Sequence, residues 1–183
     1  LEGQDKLEEA ETVLIESLKE DPENVDLIFR LGVVLDKQGE KERSLEQMRR
    51  VLEIDPEHAD ALNYIGYTYA EQGVRLDEAL DLIQRAMKLK PDSGYITDSL
   101  GWVYFQKGEY EKALEYLEKA SSLQPEDPTI TEHLGDVYLK NELQEKALEA
   151  YRKALELEHA EPEKIQGKIE EVEALLERNR ESD

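Results

Sequence analysis

Apolar residues recur along the chain at helical spacing and, over a longer range, in four units of matching pattern. Four glycines mark the units: Gly32, Gly66, Gly101 and Gly135, separated by 34, 35 and 34 residues. Each follows an apolar residue: Leu31, Ile65, Leu100 or Leu134. Three residues after each stands Leu35, Tyr69, Tyr104 or Tyr138. A second pattern keeps step downstream. Small residues open it (Ser44, Ala79, Ala113, Ala147), and larger ones follow four residues later (Met48, Ile83, Leu117, Tyr151). Val51, Ala86, Ala120 and Ala154 come three further on. Pro56, Pro91 and Pro125 close three units, and His159 holds that slot in the fourth. The extra residue of the 35-residue unit falls in Gly73-Val74-Arg75-Leu76.

This pattern predicts two antiparallel helices per unit. Positions −4, −1, 0 and +3 from each glycine share one helical stripe, the core face of the first helix. The Gly and Ala slots are small because the two helices approach closely there. Gly39, Gly73 and Gly108 lie between the helices, where a left-handed C-cap is needed, and Asn141 is expected to do the same in the last unit. The prolines stop the second helix. The fold class is therefore all-α.

These residues resemble the tetratricopeptide repeat: Leu-Gly-x-x-Tyr in the first helix, Ala and a bulky residue in the second, then Pro. The third unit, Asp98-Ser-Leu-Gly-Trp-Val-Tyr104 through Ala113, Ala120 and Pro125, is the closest. The motif's Trp slot departs from it, holding Ile28, Leu62, Thr97 and Thr131. The resemblance implies a right-handed α-α superhelix of stacked hairpins. Residues 25–58, 59–93, 94–127 and 128–160 are read as complete units. Ala10, Leu14 and Pro22 fit the second helix of an earlier, truncated unit within residues 1–24. That leaves an open apolar N-terminal edge, prone to pack on another copy. Pro162 and the stripe Ile165, Ile169, Val172 and Leu176 predict a capping helix within 161–183. About ten helices are expected.

In this family the first helices line a concave groove. A second stripe, at −6, −3, +1 and +4 from each glycine, lies about 130° from the core stripe. It yields Asp26, Phe29, Val33 and Asp36, then Asp60, Asn63, Tyr67 and Ala70. Tyr95, Asp98, Trp102 and Phe105 follow, then Thr129, Glu132, Asp136 and Leu139. The groove is expected to be acidic and aromatic, with Trp102 standing open as a binding anchor. Tyr69, Tyr104 and Tyr138 are assigned to the core. The family's carboxylate clamp needs Lys and Asn four apart on one first helix, and those slots hold Phe29 and Val33. Asp98, Glu132 and Asp136 stand where its later basic residues would be. An acidic tail is disfavoured and a peptide with basic and apolar side chains is expected.

Composition narrows the partners further. There are 45 Asp and Glu against 23 Lys and Arg, a formal charge of −22. Nucleic acid and anionic membrane would be repelled. No apolar run reaches 18 residues, so no membrane insertion is expected in this segment. Cysteine is absent, which excludes disulfides and thiolate metal sites. His58, His133 and His159 have no i, i+4 pairing, so no metal and no cofactor is expected. His58 and His159 look structural. No phosphate loop or nucleophile elbow is present, and Ser121-Ser122 ends a helix. The chain is read as no enzyme.

Three functions compete: an adaptor holding a partner peptide, a self-assembling scaffold joined end to end, and a regulatory module of a larger enzyme complex. A finer resemblance lies in Ala61-Leu-Asn-Tyr-Ile-Gly-Tyr-Thr, Arg75-Leu-Asp-Glu-Ala79, Asp98-Ser-Leu-Gly-Trp102 and Glu132-His-Leu-Gly-Asp136. These look like the C-terminal part of bacterial repeat proteins. Several of those are outer-membrane lipoproteins facing the periplasm and some are protease adaptors. That resemblance implies a periplasmic setting; a cytoplasmic one is the other.

Overall fold

A computed structural model of the chain describes residues 2–182, all of whose regular elements are helices. They are α1 (Glu2–Glu20), α2 (Val25–Lys37), α3 (Lys41–Ile54), α4 (Ala59–Glu71), α5 (Leu76–Leu89), α6 (Gly94–Gln106), α7 (Tyr110–Leu123), α8 (Pro128–Lys140), α9 (Gln144–Glu156) and α10 (Pro162–Ser182). Four hairpins form, α2 with α3, α4 with α5, α6 with α7 and α8 with α9. Each stacks on the next, α1 packs on α2, and α10 packs on α9. This is a tetratricopeptide-type α-α superhelix.

The glycine slots explain the hairpins. A Cβ on Gly66 would stand 2.6 Å from Ile83 Cγ1 and 3.0 Å from the Ala79 carbonyl oxygen; on Gly32 it would stand 2.7 Å from Met48 Cε. At Gly66 a side chain would press on the α5 backbone, whereas at Gly32 it would displace the flexible end of Met48. The partner slots Ser44, Ala79, Ala113 and Ala147 are fully buried, and Ser44 Oγ donates to the Gly32 carbonyl at 2.8 Å. Ile28, Leu62, Thr97 and Thr131 fill the slot four before each glycine and are all buried. Tyr69 and Tyr104 are core residues, while Tyr138 is half-buried and donates its hydroxyl to Glu118.

The turns follow from backbone sterics. Gly39, Gly73 and Gly108 have φ of +83°, +66° and +75°. In the last hairpin Asn141 does not take the left-handed state; its φ is −93° and Glu142 takes it instead, at 61°. Asn141 is held in place by its side-chain amide, which donates to the carbonyls of Tyr110 and Val137. The longer second unit spends its extra residue on a second left-handed position, Arg75 at φ 51°.

One apolar core runs from Leu18 through Leu134 and Val137. A second, around Tyr151 and Ala154, is completed by Ile165, Ile169 and Val172 of α10.

Candidate functional site

The first helix of each hairpin has its own N-cap. Asn24, His58, Ser93 and Asp127 each accept a backbone N–H of the first turn that follows. Two depressions open along these first helices. The larger, about 910 Å³, lies between α1, α2 and the start of α4, and is lined by Ala10, Val13, Leu14, Phe29 and Val33 together with the charged Lys6, Glu9, Asp26, Arg30 and Asp60. The second, about 380 Å³, is lined from α2, α4, α6 and α8 and the caps before α6 and α8. Phe29 and Asp60 line both, so the depressions adjoin. No residue of α3, α5, α7 or α9 lines either one.

The N-terminal depression has the character of a helix seat. Ala10 and Leu14 stand in register with Ala79 and Ile83, the pair that receives the Gly66 face of α4. Here no helix covers them among the described residues, and Val13 is 58% exposed.

Asp26, Phe29, Val33, Asp60, Asn63, Tyr67, Tyr95 and Asp98 line these depressions. Trp102, Phe105, Glu132 and Asp136 do not. Trp102 was expected to stand open; it is half-buried and stacked on both sides. The Phe105 ring lies 4.7 Å away at 6°, and the His133 ring 4.1 Å away at 17°. Its indole nitrogen is buried and finds no acceptor among the described residues.

The reason is His133, which reaches across from α8. Its Nδ1 lies 2.9 and 3.1 Å from the two Asp98 oxygens, and both residues are buried. Burial pushes the imidazole's pKa down, but the charge and hydrogen bond of Asp98, with Asp136 and Glu132 behind, outweigh it and raise it above the ordinary value. The pair's stabilising effect is therefore fully present below the unfolded value of 6.5 and is lost as pH rises through the higher folded value. Trp102 is the only tryptophan. Its emission should change in one step on the alkaline side of pH 6.5 and stay flat in His133→Gln; a flat trace in the unsubstituted protein contradicts the assignment.

The acid at the C-terminal end is not free either. Lys168 of α10 bridges Glu132 Oε1 at 2.6 Å and both Asp136 oxygens at 2.6 and 2.7 Å. His159 Nε2 lies 2.8 Å from Glu132 Oε2, and Lys164 3.0 Å from Oε1. Burial of Glu132 raises its pKa, and the two lysines overcome this and hold it at about 2. The Tyr151 hydroxyl donates to Asp136 at 2.6 Å. The acids of the stripe are thus partnered at both ends: Asp60 by Lys90 and Asp98 by His133 toward α4–α6, and Glu132 and Asp136 by Lys168 at α8.

The groove stripe missed one register. Arg30, Tyr64, Ser99 and His133 all stand two residues before their glycines, and the first three line the depressions. That slot faces the neighbouring first helix, and its recurring polar character was the available signal. The described residues contain no cluster of three or more His, Asp or Glu side chains placed to hold a metal ion, and no helix among them is long and apolar enough to cross a membrane.

Sequence profiles described as tetratricopeptide repeat match residues 1–57, 29–94 and 132–159, and one described as TPR repeat matches 101–142. Among curated proteins, the TPR repeat-containing protein PA4667 of Pseudomonas aeruginosa is 35% identical over 109 residues, 60% of this chain and 18% of that protein. The probable UDP-N-acetylglucosamine–peptide N-acetylglucosaminyltransferase SPINDLY of Solanum lycopersicum is 26% identical over 91 residues, 50% of this chain and 10% of that protein. The chain thus spans less than a fifth of either relative. Among solved structures, MamA 41-end from Desulfovibrio magneticus RS-1 superposes with a TM-score of 0.67 at 25% identity, covering 84% of this chain and 86% of that one. The thermophilic TPR protein TTC0263 of Thermus thermophilus superposes at 0.73 with 22% identity, over 94% and 93% of the two chains, a likeness of fold.

Proposed function

The chain belongs to the tetratricopeptide-repeat family, and from that premise we propose that this protein-interaction scaffold holds a partner peptide with basic and apolar side chains along its α2–α4–α6 face. The observation that carries this is the run of adjoining depressions that Phe29 and Asp60 share. Phe29, Val33 and Tyr67 offer apolar surface, and Asp26 and Asp60 supply negative charge around it. An acidic peptide meets no excess of cations there: Lys6 and Arg30 stand against Glu9, Asp26 and Asp60 in the first depression, and no Lys or Arg lines the second. No step of catalysis is assigned to any residue.

A displayed library of random peptides, panned on the unsubstituted chain, tests the reading. Selected sequences should be enriched in Lys or Arg beside Leu, Ile or Phe. Their affinity should fall about tenfold in Phe29→Ala and fall again with added salt. Selection of acidic peptides, or binding indifferent to Phe29 and to salt, contradicts it.

End-to-end assembly through the N-terminal edge is a second reading, favoured by the helix seat between α1 and α2 and by exposed Val13 and Ile15. Sedimentation equilibrium decides it. A dimer that reverts to monomer in Val13→Asp supports assembly, and a monomer at all concentrations excludes it.

A further inference from the structure

The depression between α4, α6 and α8 combines three features that one ligand group would satisfy together. Its walls are aromatic: Tyr64, Tyr67 and Tyr95 line it with Phe29. Its charged lining is wholly anionic, with carboxylates of Asp60, Asp98 and Asp127 and no Lys or Arg, beside hydroxyls and the Asn63 amide that can donate or accept. Asn63, which also lines it, has a side-chain oxygen that is buried beside the depression and finds no donor among the described residues. A buried acceptor left unpaired is costly, so a site that carries one is short of a donor.

Each carboxylate has a partner, yet two of the three keep capacity. Asp98 receives one imidazole N–H from His133 and has further lone pairs. Asp60 holds Lys90, whose side chain is 50% exposed, a contact that water screens and a second cation can share. Asp127 is committed to the Thr129 and Ile130 amides. Tyr95 is 56% exposed, which leaves its ring free to fold over an entering group.

We propose that this depression is a subsite for an arginine side chain. A guanidinium is flat, permanently charged and carries five N–H donors. It stacks on tyrosine faces while donating to several acceptors at once. A lysine ammonium would use the charge but leave the flat walls and part of the acceptor set unused. This rests on the groove reading above and sharpens it: the basic residue of the bound peptide is arginine, seated against Asn63, Asp98 and Tyr95.

The probe is N-acetyl-arginine amide, titrated into the isotope-labelled chain and followed by NMR, with the lysine and citrulline amides alongside. The arginine compound should shift the Asn63 side-chain amide and the Tyr95 and Asp98 backbone signals. Its affinity should exceed that of the lysine compound by about tenfold, and the citrulline compound, isosteric but neutral, should not bind. Tyr95→Ala and Asn63→Leu should each weaken the arginine compound at least threefold. Tyr95 is exposed, so its loss does not touch the core. Equal shifts from arginine and citrulline, shifts elsewhere on the surface, or no shifts at all overturn the subsite. A panned peptide that binds at Phe29 while N-acetyl-arginine amide leaves Asn63 unmoved sinks this proposal and leaves the groove reading standing. Arginine binding here with no peptide ever selected does the opposite.

Discussion

Gly101→Leu should lower the melting temperature by about 4–8 °C. A Cβ at Gly101 would lie 2.7 Å from Leu117 Cγ and 3.2 Å from the Leu117 backbone nitrogen. The obstacle includes the α7 backbone, so no change of rotamer relieves it. Leucine adds three further carbons in the same direction. Overpacking of this kind costs on the order of 3 kcal/mol, against which the better helix propensity of leucine returns under 1 kcal/mol. For a chain of this length each kcal/mol is about 2–4 °C. The α6–α7 hairpin also lies between two neighbours, and in a stacked array the loss is felt at both interfaces. Gly167 in α10 is the control. A Cβ there meets nothing within 4 Å, so Gly167→Leu should be neutral or slightly stabilising. Differential scanning calorimetry of the two variants separates close approach from propensity.

Lys168→Met should destabilise by about 2 kcal/mol at neutral pH and change the acid limb of the stability profile. Lys168 ties Glu132 and Asp136 together through a single ammonium. Without it a buried carboxylate keeps only Lys164, which is half exposed, and His159. The sign of the pH effect follows from the lowered pKa. Glu132 is held at about 2 when folded against 4.5 as its ordinary value. Its contribution is complete above pH 4.5 and is lost as pH falls from there toward about 2. In Lys168→Met the folded value moves back up, so that fall should shrink. Urea titrations of both proteins at several pH values between about 2 and 7 measure it. An unchanged slope in the variant would show that the bridge does not set the Glu132 pKa.

The hairpins were legible because close helix approach requires glycine or alanine, and those residues recur at one period. The caps were partly legible: Gly39, Gly73 and Gly108 fell where only glycine is free of strain, whereas the last turn chose Glu142 over Asn141. That choice depends on Asn141 reaching the Tyr110 carbonyl in the preceding hairpin, a contact no local pattern contains. The lining of the depressions was legible for Phe29, Asp60, Tyr67 and Tyr95, whose direction on their own helix decides their exposure. It was not legible for Trp102, Glu132 and Asp136. Their direction was readable, but what covers them comes from other helices, His133 from α8 and Lys164 and Lys168 from α10. Helical periodicity assigns a face; it does not say which neighbour fills it.

The face on which partners are proposed to be held is that of α2, α4 and α6. Chemical-shift mapping of the labelled chain with a panned basic and apolar peptide tests this placement most directly. The largest amide shifts should fall on α2, α4 and α6, around Phe29, Asn63 and Tyr95. Shifts confined to α3, α5 and α7, none of which lines either depression, would contradict it.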